Sequence, residues 1–203
     1  MLQAVGAGYS LGLEGHLMTR PIKGFWLFLL GMVGLHAGHA SATDLVLCDT
    51  GIVGESLNPN ALHCIDVLAW SWASTTTYTV FPSVGSKINL QDLSLTKYVD
   101  SASEDFFRLA ATGTPIPGPI EFRAYNPCSG CTSPVPFMTI RMIGVRISSQ
   151  STGGSDGESR FTENVTMSYS KISYCYSPTI NGALGPKQCY AYNIETGTSI
   201  SPF

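Results

Sequence analysis

The chain has 203 residues and a formal net charge of −3, and only 12% of its residues are charged. Ordinary soluble domains contain about 25% charged residues, and nucleic-acid-binding proteins usually show a basic surface. The composition therefore argues against a nucleic-acid partner. It favours an exterior that is buried against other subunits, although a secreted domain rich in serine, threonine and glycine would have the same composition.

The N-terminal segment, residues 1–42, has the pattern of an export signal. Arg20 and Lys23 precede an apolar run at residues 25–35, and small residues follow it. This order is typical of a secretory signal peptide. A membrane-spanning helix needs about 20 apolar residues, which is more than the run offers, so we expect cleavage after Ala42 rather than a retained anchor.

Residues 43–203 are expected to form one domain. Removing 42 of the 203 residues leaves 161, which is enough for one hydrophobic core and leaves little room for a second. This segment carries 9 basic and 13 acidic residues, a net charge of −4. Residues 1–17 have no pattern of their own, so Met18 is an alternative start for the export signal.

The predicted mature segment contains all six cysteines: Cys48, Cys64, Cys128, Cys131, Cys175 and Cys189. Behind an export signal an even number predicts disulfides, and six cysteines allow about 15 pairings that the sequence does not resolve. We favour sequential pairing, in which Cys48 bonds to Cys64 across a turn-rich stretch. Cys128 and Cys131 would then close a hairpin tip, and Cys175 and Cys189 would hold the C-terminal tail.

Alternating apolar residues predict strands in the first half of this segment. Leu45 and Leu47 mark the first strand, and residues 65–72 the second. Residues 73–86 are rich in threonine and contain proline and glycine, which is typical of a long, partly extended loop. Residues 88–97 alternate again and predict a third strand.

One short helix is predicted after the third strand. Ser101 and Glu104 have capping-box spacing, residues 106–110 provide an apolar face, and Gly113 is a stop signal. A helix this short is held by packing on the sheet.

Alternating apolar residues also predict strands in the second half of the mature segment. Residues 120–124 and 137–149 are predicted strands joined by the loop that carries the Cys-Ser-Gly-Cys motif. The alternation changes phase between residues 165–169 and 172–176, which indicates a bulge near Ser170 and the lysine that follows it.

Residues 190–194 predict the last strand. Strands at this spacing with one helix predict an all-β fold, a small barrel or sandwich of two packed sheets with one short side helix.

Candidate enzymatic sites are sparse. The Cys128–Cys131 spacing occurs in thiol oxidoreductases, but prolines place it on a loop rather than at a helix N-terminus. His63 is the single histidine after residue 42, so a serine hydrolase would depend on it. Two carboxylate pairs are candidates for glycoside hydrolysis, and the loop of the first is also a weak calcium candidate: Asp156 with Glu158, and Asp92 with Asp100. We expect no enzymatic activity, metal or cofactor.

Trp70 and Trp72 share one face of the second predicted strand. Packing in the interior is the expected role of such a pair, and a carbohydrate-binding platform is the alternative if that face is open.

Four segments carry a recognisable pattern in a fixed order: residues 65–72 (IDVLAWSW), 90–100 (LQDLSLTKYVD), 151–158 (STGGSDGE) and 162–166 (TENVT). The residues that carry the pattern are Ile65, Asp66, Trp70, Trp72, Lys97, Tyr98, Asp100, Gly153 and Gly154. In this order they resemble the hemolysin-coregulated protein (Hcp) family, the ring-forming tube subunits of bacterial type VI secretion.

The resemblance implies a homo-hexameric ring, stacking of rings into a tube, and no catalytic residues or cofactors. In the family the tube is fired by a contractile sheath, tipped by a VgrG spike, and can carry small effectors. Stacking uses the loop after the second strand, which corresponds here to residues 73–86. The residues expected in that contact are Thr75, Thr76, Thr77, Tyr78 and Phe81.

The export signal and the cysteines depart from the family, whose tube subunits are made in the cytoplasm. We therefore predict a secreted, disulfide-stabilised relative that assembles with itself in the periplasm or outside the cell. A VgrG-like spike, a sheath or small effector cargo are further expected partners, with no nucleic acid and no membrane after cleavage. Two alternatives stay open: a secreted monomeric β-domain acting as adhesin or effector, and an ordinary tube subunit whose leader is not translated.

Overall fold

The structure is a computed structural model that describes residues 43–49, 51–78, 87–126, 135–180 and 183–203. All of them belong to one compact unit, Ala40–Phe203. Several predictions lie outside the described residues: cleavage after Ala42, the contact of Phe81, and the pairing of Cys128 with Cys131.

The described ranges contain fifteen strands and one helix. The first half holds β1 (Asp44–Asp49), β2 (Ile65–Asp66), β3 (Ala69–Ser71), β4 (Ser74–Thr77), β5 (Lys87–Leu90), β6 (Leu93–Tyr98) and α1 (Ala102–Thr112). The second half holds β7 (Ile120–Tyr125), β8 (Pro136–Ile143), β9 (Arg146–Gly153), β10 (Thr162–Ser168), β11 (Lys171–Tyr176), β12 (Thr179–Ile180), β13 (Ala183–Leu184), β14 (Gln188–Asn193) and β15 (Thr198–Ile200).

Two antiparallel sheets enclose the core. One has seven strands in the order β15-β14-β11-β8-β7-β1-β2, and the other has four in the order β3-β6-β10-β9. The pairs β4–β5 and β12–β13 form two separate hairpins. The predicted fold class, packed sheets with one short side helix, is confirmed.

Residues 65–72 do not form the single strand that their alternation predicts. The amide of Val67 donates to the Leu45 carbonyl in the seven-stranded sheet (2.9 Å), and the amide of Leu68 donates to the Thr96 carbonyl in the four-stranded sheet (2.8 Å). The chain therefore changes sheets between these two residues. The alternation changes phase at this corner: Ile65 and Val67 are buried on one side, Leu68 and Ala69 are both exposed, and Trp70 and Trp72 are the half-buried positions that follow.

Two more corners between the sheets correct the predicted strand 137–149 and the predicted bulge near Ser170. The predicted strand 137–149 is divided at Gly144, where φ is 68° and β8 gives way to β9 in the other sheet. An added Cβ at Gly144 would lie 2.4 Å from the Ser170 hydroxyl, so the chain here requires glycine. Ser170 itself lies where β10 gives way to β11, and the predicted bulge is instead a crossing between the sheets.

Helix α1 ends as predicted and begins differently. Gly113 adopts the left-handed conformation at the C-terminus, but Ser101 makes no side-chain cap. Asp100 takes that role, because its carboxylate accepts from the Ala102 amide (3.0 Å) and its own amide donates to the Ser103 hydroxyl (3.1 Å). The reciprocal cap thus lies one residue upstream of the predicted one.

The core lies between the sheets and under the helix. Its fully buried apolar side chains come from β1, β2, β6, α1, β7, β8 and β10 and include Leu47, Ile65, Leu93, Leu95, Phe106, Ile120, Phe122, Ile140, Met142 and Met167. A smaller apolar cluster beneath the loop after β1 joins Val46, Cys48, Ala61 and Tyr125.

Candidate assembly surfaces

The β4–β5 hairpin projects from the body of the domain. It forms a sheet of its own, and every residue of Ser74–Thr77 is exposed. Tyr78, the residue after β4, is 78% exposed. Four of the five residues predicted for the stacking contact therefore lie together on this hairpin: Thr75, Thr76, Thr77 and Tyr78.

A chain of hydrogen bonds fixes the base of this hairpin. The Trp72 indole donates to the Tyr169 hydroxyl (2.5 Å), and that hydroxyl donates to the Gln91 carbonyl (2.8 Å). The amide of Gln91 closes the hairpin base on the Ala73 carbonyl (2.9 Å). Burial raises the pKa of Tyr169 to about 12 and outweighs the lowering by the hydrogen bond from Trp72, and Asp92 adds a smaller rise. The phenol is therefore neutral near pH 7 and holds both partners.

A buried ion cluster joins the end of β6 to β10 and to the start of α1. The side chain of Lys97 is 0% exposed, and its ammonium lies 2.6 Å from Glu163 Oε1 and 2.7 Å from Asp100 Oδ1. A third short contact, 2.7 Å, reaches the Tyr98 carbonyl. Three donors thus meet three close acceptors, which satisfies the buried ammonium.

Glu163 is held as a carboxylate by its neighbours. Burial alone would raise its pKa, but hydrogen bonds from Lys97, Ser103 and Gln150 together outweigh this and lower the pKa below its ordinary value of 4.5. The bonds from Ser103 and Gln150 measure 2.7 and 2.8 Å. Since Asp100 also caps α1, the cluster fixes the helix N-terminus on the four-stranded sheet.

The loop after β1 is fastened at both ends. Cys48 is bonded to Cys64, which ties the loop to β1. Near the helix, Glu55 Oε1 accepts from the Ser101 amide (2.9 Å), and the Ser101 hydroxyl donates to the Val53 carbonyl (3.1 Å). The loop is thereby held between β1 and the start of α1.

An open groove runs between this loop and α1. Its central cleft, about 440 Å³, is lined by Leu57, Asp66 and Val99, with the Arg160 guanidinium 4.1 Å from the ring centre of Tyr98. Adjoining depressions share Leu57 and Asp66 on one side and Val99 on the other. We call this surface the acidic groove and define it by Asp44, Leu57, Asp66, Val99, Glu104 and Phe107.

A second projection lies between β11 and β14. The strands β12 and β13 pair with Ile180 opposite Ala183, and Cys175 is bonded to Cys189 at the base. Ile180 and Leu184 are exposed. We call this projection the arm and define it by β12, β13 and Lys187.

The remaining signature residues support packing. Ile65 is buried, Trp70 packs on Phe122 with ring centres 5.1 Å apart, and Trp72 stacks near Tyr174 at 6.1 Å. The two tryptophans therefore pack against the core, as their strand face predicts, and offer no open platform. Gly153 has open space around it, whereas an added Cβ at Gly154 would lie 2.0 Å from the Phe161 ring.

The sequence also held a signal for Glu163 that the prediction missed. Glu163 lies opposite Lys97 in the β6–β10 register, and each falls in the phase of the buried residues of its strand. A lysine and a glutamate at core positions of two strands indicate a buried pair, because isolated charges are rarely buried. Only the strand register shows that they meet.

The candidate enzymatic residues are not assembled into a site. Asp92 accepts from the Ser148 hydroxyl (2.7 Å), whereas Asp100 belongs to the Lys97 cluster. Asp156 and Glu158 are exposed. Among the described residues, no group of three or more histidine, cysteine, aspartate or glutamate side chains is arranged to hold a metal ion.

Comparisons of this chain with a family model, with characterised proteins and with solved structures agree on one family. Residues 46–176 match the family model described as type VI secretion system effector, Hcp. The chain is 34% identical over 160 residues to protein hcp1 of Pseudomonas aeruginosa, which covers 76% of this chain and 96% of that protein. Among solved structures, Hcp1 from Salmonella typhimurium superposes with a TM-score of 0.64 and 25% identity, covering 79% of this chain and all of that one. A further type six secretion system protein superposes with a TM-score of 0.69 and 23% identity, covering 78% of this chain and all of that one.

Proposed function

This chain belongs to the Hcp family of the type VI secretion system, and on that premise we propose that it is an exported, disulfide-stabilised subunit that closes hexameric rings and stacks them into a tube. The family consists of structural secretion proteins rather than enzymes. Its function therefore depends on surfaces that meet other copies of the chain.

The observation that carries the stacking proposal is the β4–β5 hairpin. Among the described residues, β4 and β5 form a two-stranded sheet with unpaired edges, and β4 is exposed along its whole length and followed by an exposed tyrosine. An exposed strand edge of this kind can pair with another chain. The Trp72–Tyr169–Gln91 bonds hold its base in one position, so little conformational freedom is lost when it meets a neighbouring ring. The hairpin is thus suited to the face-to-face contact between rings.

The proposed location is the periplasm or the extracellular space. The pattern of residues 1–42 and the disulfides Cys48–Cys64 and Cys175–Cys189 support it, because disulfides persist in oxidising compartments. No helix within the described ranges is long and apolar enough to cross a membrane. A spike, a sheath or a small effector carried in the lumen are proposed partners beyond the chain itself.

The test uses the full 203-residue chain, exported by a bacterial host and purified without reductant. Light scattering after size exclusion and negative-stain images are recorded over a range of protein concentrations. We expect six-membered rings, with tubes at high concentration, and an N-terminus that begins at Thr43. A monomer at every concentration would refute ring formation, and the remaining function would be that of a monomeric adhesin or effector. Rings that form but are not exported would leave the ordinary tube subunit, in which the leader is not translated.

Stacking is tested separately with Tyr78→Glu. A charge on this exposed side chain should convert tubes into single rings, because a buried unpaired charge opposes the contact. Thr196→Glu, on an exposed turn of another hairpin, is the matched control and should leave tubes intact. Equal loss of rings and tubes in Tyr78→Glu would show that the hairpin supports the fold instead.

A further inference from the structure

The acidic groove combines apolar surface with unpaired negative charge. Leu57 is 87% exposed and Phe107 is 68% exposed, with Val99 between them. The carboxylates of Asp66 and Glu104 have no hydrogen-bond or ion-pair partner within the described ranges, and with Asp44 they outnumber Arg160, a cation that lines the central cleft beside Tyr98. A complementary surface must therefore be apolar and carry positive charge.

The arm has that complementary character. From Tyr176 to Tyr192 the sequence contains no acidic residue, and its single charge is Lys187. Ile180, 52% exposed, leans over Gly185, where an added Cβ would lie 2.9 Å from its Cδ1. Leu184 pairs with Thr179, the neighbour of Ile180, so the two apolar side chains lie on opposite faces of the hairpin. A projection that is apolar on both faces is suited to insertion into a groove.

The arm and the acidic groove lie at opposite edges of the same sheet. The arm connects β11 and β14, the third and second strands from one edge, whereas Asp44 and Asp66 lie on β1 and β2 at the other edge. At opposite edges of a rigid domain, two different surfaces are placed to contact two separate neighbours. They form a head-to-tail contact, which generates a ring when the rotation between neighbours closes.

We propose that the arm of each subunit inserts into the acidic groove of a second copy, and that this contact closes the ring. The proposal rests on the proposed function and specifies its lateral interface. Ile180 and Leu184 contact Leu57, Val99 and Phe107 of the neighbour, and the Lys187 ammonium lies near its Asp66 and Glu104. The β4–β5 hairpin is not used in this contact and stays available for stacking.

The experiment compares two classes of variant in the full exported chain, purified without reductant. An arm variant, Ile180→Glu with Leu184→Glu, and a groove variant, Leu57→Glu with Phe107→Glu, should each raise the concentration at half-assembly by at least about tenfold per substitution. Thr196→Glu is the control and should leave this concentration unchanged. Because all four substituted positions are exposed, the unfolding temperature of each variant should stay close to that of the wild type.

Mixing the two variants gives the decisive result. Each retains one intact surface, so light scattering should detect a one-to-one dimer that grows no further. Rings in either variant at the concentration of wild-type half-assembly, or a mixture that stays monomeric, would overturn the proposal, whereas wild-type rings would preserve the proposed function. A monomeric wild type would overturn both. If the arm variant fails to fold, Lys187→Glu replaces it, and wild-type assembly in that variant would equally contradict the proposal.

Discussion

Lys97→Met is the substitution expected to affect the stability of the domain most. It removes a cation whose ammonium makes three contacts of 2.6 to 2.7 Å and is wholly buried. The methionine fills a similar volume, so the loss is electrostatic rather than a cavity. Removing one partner of a buried ion pair costs about 3–5 kcal/mol, because the remaining charge is left uncompensated.

That loss is a large share of the free energy of unfolding, which is about 5–15 kcal/mol for a typical domain. Glu163 would keep its bonds from Ser103 and Gln150, which limits the loss toward the lower end of the range. Glu163→Gln, which retains hydrogen bonding without the charge, should cost less, about 1–3 kcal/mol. The double variant should differ from the sum of the single losses by at least about 1 kcal/mol, because the residues are in contact.

The assay is urea unfolding of the oxidised protein at pH 7 and one protein concentration, followed by tryptophan fluorescence. Lys171→Met is the matched control: its lysine is partly exposed and forms no ion pair in the described ranges, so its effect should stay within about 0.5 kcal/mol. The reasoning is refuted if Lys97→Met costs less than about 1 kcal/mol, or if the control costs as much.

Three further predictions use the same unfolding measurement. Since the folded pKa of Glu163 lies below 4.5, its contribution to stability is fully present above about pH 4.5 and is lost as pH falls through the folded pKa. The stability difference between wild type and Glu163→Gln should therefore shrink in acid. A difference that stays constant with pH would contradict this. Tyr169→Phe should cost about 1–3 kcal/mol by leaving buried partners unpaired. It should also abolish the wild-type loss of stability expected between pH 10 and about 12 as pH rises, and an unchanged alkaline profile would argue against the raised pKa. Cys48→Ala with Cys64→Ala opens a bond of sequence separation 16 and should cost about 3 kcal/mol, whereas a loss below about 1 kcal/mol would show that the loop is held by other contacts.

The sequence predicted the class of fold and the helix because both depend on local patterns. Gly113 stops α1 through its left-handed conformation, a property that glycine carries in any context. The start of α1 was predicted one residue late because Ser101 and Asp100 are both good caps. The choice between them depends on Glu55, 46 residues away, which accepts from the Ser101 amide.

Alternation marks the corners between the sheets only as changes of phase, which a bulge within one sheet produces as well. The inward-facing positions pass from odd to even residue numbers between Val67 and Trp70, and from even to odd between Met142 and Val145, but both runs are apolar enough to read as single strands. Only contacts distant in sequence show the change of sheet, such as Val67 with Leu45 and Leu68 with Thr96. The same holds for Lys97 and Glu163, whose charges were visible but whose pairing needed the register of β6 and β10.

The two described disulfides gain a common explanation from the proposed lateral contact. Cys48–Cys64 fastens the loop that presents Leu57 to the groove, and Cys175–Cys189 closes the base of the arm. Association loses less entropy when both surfaces are already ordered, so the bonds favour assembly as well as folding. Cytoplasmic thiols would leave both surfaces less constrained before they meet. Ring closure would thereby be coupled to arrival in an oxidising compartment. A subunit still in the cytoplasm, with its cysteines reduced, would enter rings less readily.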